Sequence, residues 1–311
     1  MKRCAENPFG SIVPLYQYIG HDAGLFLQPY TPGAVLTQDI SGTVVPIGAN
    51  VPKFRIGDCI FGQSNVLDGS DQGGLQQYTL LHGDYTARMR DNLSFDNAAT
   101  IAVNAAASVV ALFHESWLGL RAAEFNLSSE KNEAVDYSQD TILVIVMTTA
   151  GSTGDSRKMA DLGSLGATHI INRNAWGAYI ESQVRELVGD SLVYAYDTVN
   201  TAPNQDLGLA ALPNSQKGTL ITLLRGGEVQ EDIALNEDGF RKAQVLGVSH
   251  KHGEFAREFW TRLPRRVGSR IVRPLDAVVV EGLDVDGVNR VLDEYRDGKV
   301  VRKAHGYPTA L

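Results

Sequence analysis

The chain has 311 residues, of which 43% are hydrophobic and 21% are charged, a balance typical of a globular protein with a large core. Its formal net charge of −8 argues against a nucleic-acid partner, because binding a phosphate backbone needs a basic face. Its two cysteines, Cys4 and Cys59, are too few for a disulfide framework, so we expect reduced thiols in a cytoplasmic protein. No window reaches the ~20 apolar residues of a membrane span, and the N-terminal stretch does not read as a signal peptide, so we expect no membrane partner.

Short β-like runs occupy the first part of the chain, within residues 32–90. They are ISGTVVPIG (40–48), FRIGDCIFG (54–62) and LQQYTLLHG (75–83). Gly, Pro, Asn and Asp separate these runs, which predicts a compact β domain. The alanine-rich stretch at 94–119 follows, and Ser94 is a suitable helix cap, so two helices are predicted there.

From residue 141 onward, predicted strands alternate with predicted helices. The strands are TILVIV (141–146), THIIN (168–172), LVYAYDTVN (192–200), GTLITLL (218–224) and part of GFRKAQVLGVSH (239–250). The helices are WGAYIESQVRELVG (176–189), DLGLAALP (206–213), EFAREFWTRLPRRV (254–267) and VDGVNRVLDEYRDGK (285–299). TILVIV lacks polar alternation, as expected of a strand covered on both faces. The alternation predicts a parallel sheet in an α/β domain.

Several segments, taken in order, resemble the medium-chain dehydrogenase/reductase superfamily. They are PGAVLTQDISGTVVPIGANVPKFRIGDCIFG, DNLSFDNAATIAVNAAASVVALF, SLGATHIIN, YAYDTVN, KGTLITLL and DEYRDGKVVRKAH, which together fall within residues 22–308. The resemblance is strongest to the zinc-independent branch, which contains quinone reductases and fungal trans-acting enoyl reductases. It implies an α/β fold with a GroES-like β domain and a doubly wound parallel sheet of the Rossmann type.

The same resemblance divides the chain into three parts. Residues 1–110 are expected to form a GroES-like substrate and catalytic domain, shortened because relatives begin with about two extra strands. Residues 111–250 are expected to form the NADPH-binding domain, and residues 251–311 to return to the catalytic domain. An incomplete β domain leaves open strand edges, which favour association.

The chain lacks the residues that hold the catalytic zinc in relatives. Zinc-dependent members carry a Gly-His-Glu triplet where this sequence has Thr37, Gln38 and Asp39, and the four-cysteine structural lobe is absent as well. A catalytic zinc needs three protein ligands. We therefore expect no metal site.

The stretch TILVIVMTTAGSTGDSRKMADLGSLGATHIIN (141–172) departs from the family pattern, because it is too short for the usual phosphate turn and helix. In one reading, a loop and a helix are deleted and two family strands are fused near Val146, which would impair cofactor binding. In the other, TTAGSTG is a substitute turn, and DSRKMADLGSLG is a short helix that rebuilds a smaller phosphate site. Both readings stay open at this point.

Candidate site residues follow from the resemblance. The cofactor candidates are Gly151, Ser152, Thr153, Gly154, Arg157, Lys158, Asn200, His250 and Lys303. Arg157 and Lys158 would take the 2′-phosphate of NADPH, or would simply form a solvated first helical turn. Gln63, Asn65 and Ser108 are the substrate-pocket candidates, and Ser108 adjoins Ala107, which replaces a threonine of many relatives. No catalytic acid is identified.

The resemblance implies an NADPH-dependent, zinc-independent oxidoreductase that transfers hydride to an activated C=C bond or to a quinone. Its partner would be a small-molecule substrate, with a homodimer and a polyketide-synthase-type partner as further expectations. The alternative is a catalytically impaired member that serves as an interaction protein or is a truncated gene product. The substrate itself cannot be read from the fold, because this fold hosts many chemistries.

Overall fold

A computed structural model of the chain describes residues 5–6, 37–65, 70–121, 140–145, 156–172, 177–198, 202–223, 239–275, 277–281, 290 and 303–307. The chain divides into two compact units. One contains residues 1–108 together with 247–311, and the other contains residues 109–246.

The first unit contains a four-stranded antiparallel sheet. Its strands, in spatial order, are β1 (Ala5–Glu6), β2 (Asp39–Thr43), β3 (Cys59–Gln63) and β4 (Thr86–Arg88). The two central strands pair from Asp39 opposite Gln63 to Thr43 opposite Cys59. Residues two apart on a strand share a face, so this register aligns one row of side chains from each strand.

Two helices follow this sheet, α1 (Phe95–Ala98) and α2 (Ala102–Phe113). Ser94 caps α1 as predicted, because its hydroxyl accepts a hydrogen bond from the Asn97 N–H at 3.2 Å. By length and composition alone, Phe95–Phe113 is apolar enough to cross a membrane. This is weak evidence, because the core helix of a soluble protein passes the same test and 56% of this stretch is buried within the protein.

The first unit also contains one more helix, which follows the second unit along the chain, and a small parallel sheet. The helix α6 (Gly253–Gly268) buries Ala256, Phe259, Trp260 and Leu263, the spacing of one apolar helical face. Trp260 meets Phe61 of β3 with ring centroids 6.1 Å apart. The strands β9 (Ala277–Glu281) and β10 (Lys303–Tyr307) pair in parallel.

The second unit contains a parallel sheet whose four strands lie in chain order. They are β5 (Ile142–Ile145), β6 (Tyr194–Asp197), β7 (Gly218–Thr222) and β8 (Phe240–Gln244). The helices of this unit are α3 (Ser156–Ser164), α4 (Gly177–Val188) and α5 (Ala202–Ala210). An antiparallel sheet in one unit and a parallel sheet in the other confirm the predicted α/β fold class.

One face of the parallel sheet packs against α4 and α5. Leu143, Ala195 and Leu220 stand in register across β5, β6 and β7 on that face. They contact two hydrophobic clusters, one around Ile180 and Val184 of α4 and the other around apolar residues at the end of α5. These contacts explain the apolar spacing in the sequence that predicts α4 as a helix.

Three predicted elements differ from the structure. THIIN (168–172) forms no strand: Ile171 packs against the α4 cluster instead of pairing in a ladder. LQQYTLLHG (75–83) is irregular, and the strand in this region is β4, which begins at Thr86. The helix predicted at 206–213 begins earlier and occupies Ala202–Ala210. The helix predicted at 285–299 lies outside the described residues, apart from residue 290.

Candidate active site

Polar side chains line one face of the β2–β3 hairpin in the first unit. Asp39 stands opposite Gln63, and Ser41 stands opposite Phe61. The Ser64 N–H donates to the Gln38 carbonyl at 2.8 Å, which extends the ladder beyond these pairs. Thr37 lies two residues before β2, and Asn65 lies two residues after β3. All of these polar residues are buried, so each needs a hydrogen-bond partner.

The side chain of Gln63 is fully engaged within the protein. Its Nε2 donates to the Gly247 carbonyl at 2.8 Å, and its Oε1 accepts from the Ser249 N–H at 2.8 Å and the Ser249 hydroxyl at 2.6 Å. The Trp260 Nε1 then donates to the Ser249 oxygen at 2.9 Å. The network joins β3 to the segment before α6. The predicted substrate role of Gln63 stays a prediction, and this geometry gives the residue a structural role as well.

Asp39 and Ser41 also satisfy backbone groups. Asp39 Oδ1 accepts from the Val103 N–H at 2.5 Å, which places a carboxylate at the N-terminus of α2, where the helix dipole favours negative charge. The Ser41 hydroxyl donates to the Phe95 carbonyl at 2.7 Å. The sequence reading missed both roles, because they depend on contacts between distant segments. The carboxylate of Asp39 therefore stabilises the N-terminus of α2.

Thr37 and Asn65 are different, because each has a buried oxygen that is not satisfied. Thr37 is 1% exposed and Asn65 is 6% exposed. Thr37 Oγ1 and Asn65 Oδ1 have no hydrogen-bond partner among the residues that the structure describes. The backbone of Thr37 has φ 82°, a region that β-branched residues rarely enter. Buried unsatisfied atoms and backbone strain are both features of functional sites.

The third substrate-pocket candidate, Ser108, is half-buried on α2 next to Ala107. Ala107 is in close contact with the backbone of Gly247, where an added Cβ would lie 2.4 Å from the Ala107 Cα. The small residues at both positions therefore allow this approach. The structure gives no test of the substrate role of Ser108.

His250 lies in the first unit within a cluster of rings. Its ring meets that of Tyr85 at 4.4 Å and that of His82 at 5.9 Å between centroids. His82 Nδ1 accepts from the Asp84 N–H at 3.3 Å, which caps a short turn. Aromatic packing thus accounts for the position of His250, and its predicted cofactor role remains a prediction.

The other cofactor candidates belong to three segments of the chain. Gly151, Ser152, Thr153, Gly154 and Asn200 lie outside the described residues. Arg157 and Lys158 fall in the first turn of α3, and Lys303 begins β10, but their side chains are not described. The first turn of α3 contains no acidic residue. A helix N-terminus is a general binding position for phosphate groups, and the cofactor role of Arg157 and Lys158 stays a prediction.

An open apolar cavity of about 440 Å³ lies elsewhere in the first unit. Its walls include Ile40, Val44, Phe54, Ile60 and Leu81. None of the predicted site residues that the structure describes lines it. The described part of the chain also contains no group of three or more His, Cys, Asp or Glu side chains that could hold a metal ion.

Known proteins resemble the chain both in sequence and in fold. No model of a known protein family matches the chain. The chain is 23% identical over 292 residues to trans-enoyl reductase ACTTS2 of Alternaria alternata, an alignment covering 87% of this chain and 82% of the relative. It is 27% identical to trans-enoyl reductase traG of Penicillium crustosum, over 65% of this chain and 58% of that relative. Its match to dehydrogenase pigH of Monascus ruber is 38% identical but covers only 25% of that relative.

Solved structures share the fold over nearly the whole chain. A quinone oxidoreductase of Escherichia coli, complexed with NADPH, superposes with a TM-score of 0.67 and 16% identity, over 99% of this chain and 90% of that one. The CurK enoyl reductase gives a TM-score of 0.69 and 14% identity, over 98% of this chain and 89% of that one. The chain resembles members of the medium-chain dehydrogenase/reductase superfamily, namely fungal trans-enoyl reductases in sequence and quinone oxidoreductases in fold.

Proposed function

We propose that the chain is an NADPH-dependent, zinc-independent reductase, acting in the cytoplasm on a C=C bond conjugated to a carbonyl group or on a quinone. One observation carries this proposal: the resemblance extends over nearly the whole chain. The sequence match to a trans-enoyl reductase covers 87% of the chain, and the fold match to an NADPH-complexed quinone oxidoreductase covers 99%.

NADPH would supply the hydride, and the protein would supply binding and orientation. We place its phosphates near Gly151, Ser152, Thr153 and Gly154, with Arg157 and Lys158 close to the 2′-phosphate. The start of α3 supports this placement, because its first turn carries basic and no acidic residues. Asn200, His250 and Lys303 complete the proposed cofactor residues.

Titration of NADPH, followed by cofactor fluorescence, is the first test. We expect saturable binding in the micromolar range and NADPH consumption when a quinone or an enoyl thioester is added. Binding without consumption of NADPH by either substrate class would contradict the catalytic role. No binding at millimolar NADPH would contradict the cofactor assignment.

A double substitution tests the proposed 2′-phosphate contact. Arg157→Ala with Lys158→Ala should weaken NADPH binding about tenfold or more and leave NADH binding unchanged, because only NADPH carries the 2′-phosphate. Arg265→Ala with Arg266→Ala removes an adjacent basic pair from the other unit and serves as the matched control. Equal loss of both cofactors in the first variant would refute the assignment.

A second candidate function is a non-catalytic interaction protein of the same superfamily. The observation that favours it is the connection between β5 and β6, whose described residues include α3 and α4 but no further strand. A partner of the polyketide-synthase type is supported by a local match, 38% over 73 residues, to the enoyl reductase component lovC of a lovastatin nonaketide synthase. That match covers 20% of lovC. Co-purification with a synthase, together with failure to bind NADPH, would favour this candidate.

A further inference from the structure

Five arginines lie around the C-terminal end of α6 in the first unit. This arginine cluster consists of Arg90, Arg265, Arg266, Arg270 and Arg273. All of its members are exposed except Arg266, which is half-buried. The stretch 262–275 contains no Asp or Glu, whereas the whole chain has a formal net charge of −8. The cluster is therefore a local basic surface on an acidic protein.

Contacts at the end of α6 hold the members of the cluster near one another. The Arg90 guanidinium lies against Gly268, where an added Cβ would be 2.5 Å from Arg90 Nη1. Arg273 Nε donates to the Arg270 carbonyl at 3.2 Å, which brings these two residues together just after the helix. The other two arginines belong to the last turn of α6. The five side chains thus surround one helix end and the turn that follows it.

Ion pairs do not account for the cluster. One turn earlier on α6, Arg262 Nε donates to Glu258 Oε1 at 2.6 Å, an ordinary helical ion pair. Within the part of the chain that the structure describes, no carboxylate pairs with the exposed arginines of the cluster. The helix dipole favours cations in the last turn, but Arg270 and Arg273 lie beyond that turn. The surface therefore carries like charges that no described carboxylate balances.

Arg270 occupies a backbone position that favours glycine. Its φ is 61°, it directly follows the C-cap residue Ser269, and its N–H donates to the Val267 carbonyl at 3.1 Å. Helices commonly end with a glycine in this left-handed conformation, because a Cβ makes it less favourable. Unfavourable backbone conformations are found most often where a side chain serves a function. The side chain of Arg270 therefore explains its presence better than its backbone does.

Two exposed aliphatic side chains lie in the same turn and segment as these arginines. Ile271 is 48% exposed and Leu275 is 47% exposed. The Leu275 N–H donates to Thr100 Oγ1 at 2.9 Å, which fixes the end of the segment. Protein–protein interfaces combine apolar side chains with arginine, and a segment that is already fixed loses little conformational entropy on binding. These features are typical of a surface that binds another protein.

We propose that the arginine cluster, together with Ile271 and Leu275, binds an acidic segment of another protein in which carboxylates accompany aliphatic side chains. Guanidinium groups bind carboxylates through two parallel hydrogen bonds, which makes arginine well suited to such a partner. The net charge of −8 repels an extended polyanion such as a nucleic acid or an anionic membrane, whereas a short acidic segment contacts only the cluster. The inference does not depend on the proposed reductase activity.

Binding of two labelled peptides to the whole chain, measured by fluorescence anisotropy without NADPH, tests the proposal. One is a helical peptide of Glu, Leu and Ala, and the other has Gln in place of every Glu. We expect the Glu peptide to bind in the micromolar range and the Gln peptide about tenfold more weakly, because only the carboxylates pair with arginine. Equal affinities of the two peptides, or no binding of either, would overturn the proposal.

Charge reversal assigns the binding to the cluster. Arg270→Glu with Arg273→Glu should weaken binding of the Glu peptide about tenfold or more, because repulsion replaces attraction. Arg55→Glu with Lys251→Glu is the matched control, since both residues are exposed in the first unit outside the cluster and the net charge changes equally. The control should bind as tightly as the wild type to within about threefold. Equal weakening in the two variants would mean that only the overall charge matters.

Arg270→Gly separates binding from folding. Glycine suits a φ of 61°, so we expect this variant to melt at a higher temperature than the wild type and to bind the Glu peptide about threefold more weakly. Unchanged peptide binding in the more stable variant would contradict the role of Arg270. Tighter binding of phosphatidylserine vesicles or duplex DNA than of the Glu peptide would assign the cluster to a different partner and overturn the proposal. Self-association of the chain that Arg270→Glu with Arg273→Glu abolishes would do the same.

Discussion

At the residue scale, the buried polar face of the β2–β3 hairpin contains two kinds of side chain. Gln63 and Asp39 are saturated by partners from distant segments. Thr37 and Asn65 retain unused hydrogen-bonding capacity. The saturated residues are expected to govern stability, because losing one partner leaves the other buried and unpaired.

Gln63→Leu removes the amide while keeping the size of the side chain. It leaves the Gly247 carbonyl and the Ser249 N–H without their partner in a buried setting. We expect the free energy of unfolding to fall by about 3 kcal/mol in urea denaturation. Gln244→Leu is the control, because Gln244 Nε2 reaches the Leu223 carbonyl at 3.4 Å on a half-buried strand. A loss below about 1 kcal/mol for Gln63→Leu would show that the network is not structural.

Gly247→Ala tests the close approach to α2. An added Cβ would lie 2.4 Å from both Cα and Cβ of Ala107, so the backbone must shift, at a cost of about 1–3 kcal/mol. The same substitution at Gly163 on α3 meets only Ile170 Cδ1 at 4.0 Å. That variant should be stabilised by about 0.5–1 kcal/mol, because alanine favours helix. Thermal unfolding of the two variants should therefore move in opposite directions, and a shared direction would contradict this account.

At the element scale, the sequence correctly predicts helices and strands where an apolar pattern coincides with local packing. Strands β5, β6 and β7 and helix α4 follow this rule, since their apolar residues build the clusters around Ile180 and Leu220. THIIN breaks the rule because Ile171 is used for packing and not for pairing. The roles of Asp39 and Thr37 could not be derived, because they depend on a contact with Val103 and on a backbone φ angle.

The loop between α5 and β7 is held by one carboxylate. The pKa of Asp190 is lowered from 3.8 to about 2. The largest cause is the hydrogen bond from the Ser215 side chain, followed by the backbone N–H groups of Asn214 and Ser215 and the charge of Arg185. Arg185 also donates to the carbonyls of Ala210 and Leu212. The network therefore ties the end of α4 to the end of α5 and to the loop that follows α5.

Asp190→Asn should reduce stability in a pH-dependent way. Because the folded pKa is below the unfolded value, the contribution is present above pH 3.8 and is lost as the pH falls toward about 2. We expect the variant to melt at a lower temperature than the wild type at neutral pH. The two melting temperatures should converge near pH 2. A constant difference across this range would mean that the charge of Asp190 does not contribute.

At the scale of the whole molecule, each unit has its own sheet and its own buried side chains. The first contains the hairpin and α6 with Trp260, and the second contains the parallel sheet. The proposed cofactor residues in 151–158 belong to the second unit, whereas Thr37 and Asn65 belong to the first. The fold similarity therefore covers both units, but cofactor binding must be tested in the second unit.

Variants that keep a single tryptophan allow that test, because Trp117 and Trp176 belong to the second unit and Trp260 belongs to the first. If the second unit binds NADPH, the cofactor stabilises that unit by mass action. At a concentration 100 times the dissociation constant, we expect about 2.7 kcal/mol in the denaturation transition that Trp117 reports. At the same concentration, NADH should raise the free energy of unfolding by less than NADPH does if the protein binds the 2′-phosphate. If NADPH does not shift the transition that Trp117 reports, the second unit has the fold of its relatives but does not bind the cofactor. The interaction-protein alternative requires this outcome.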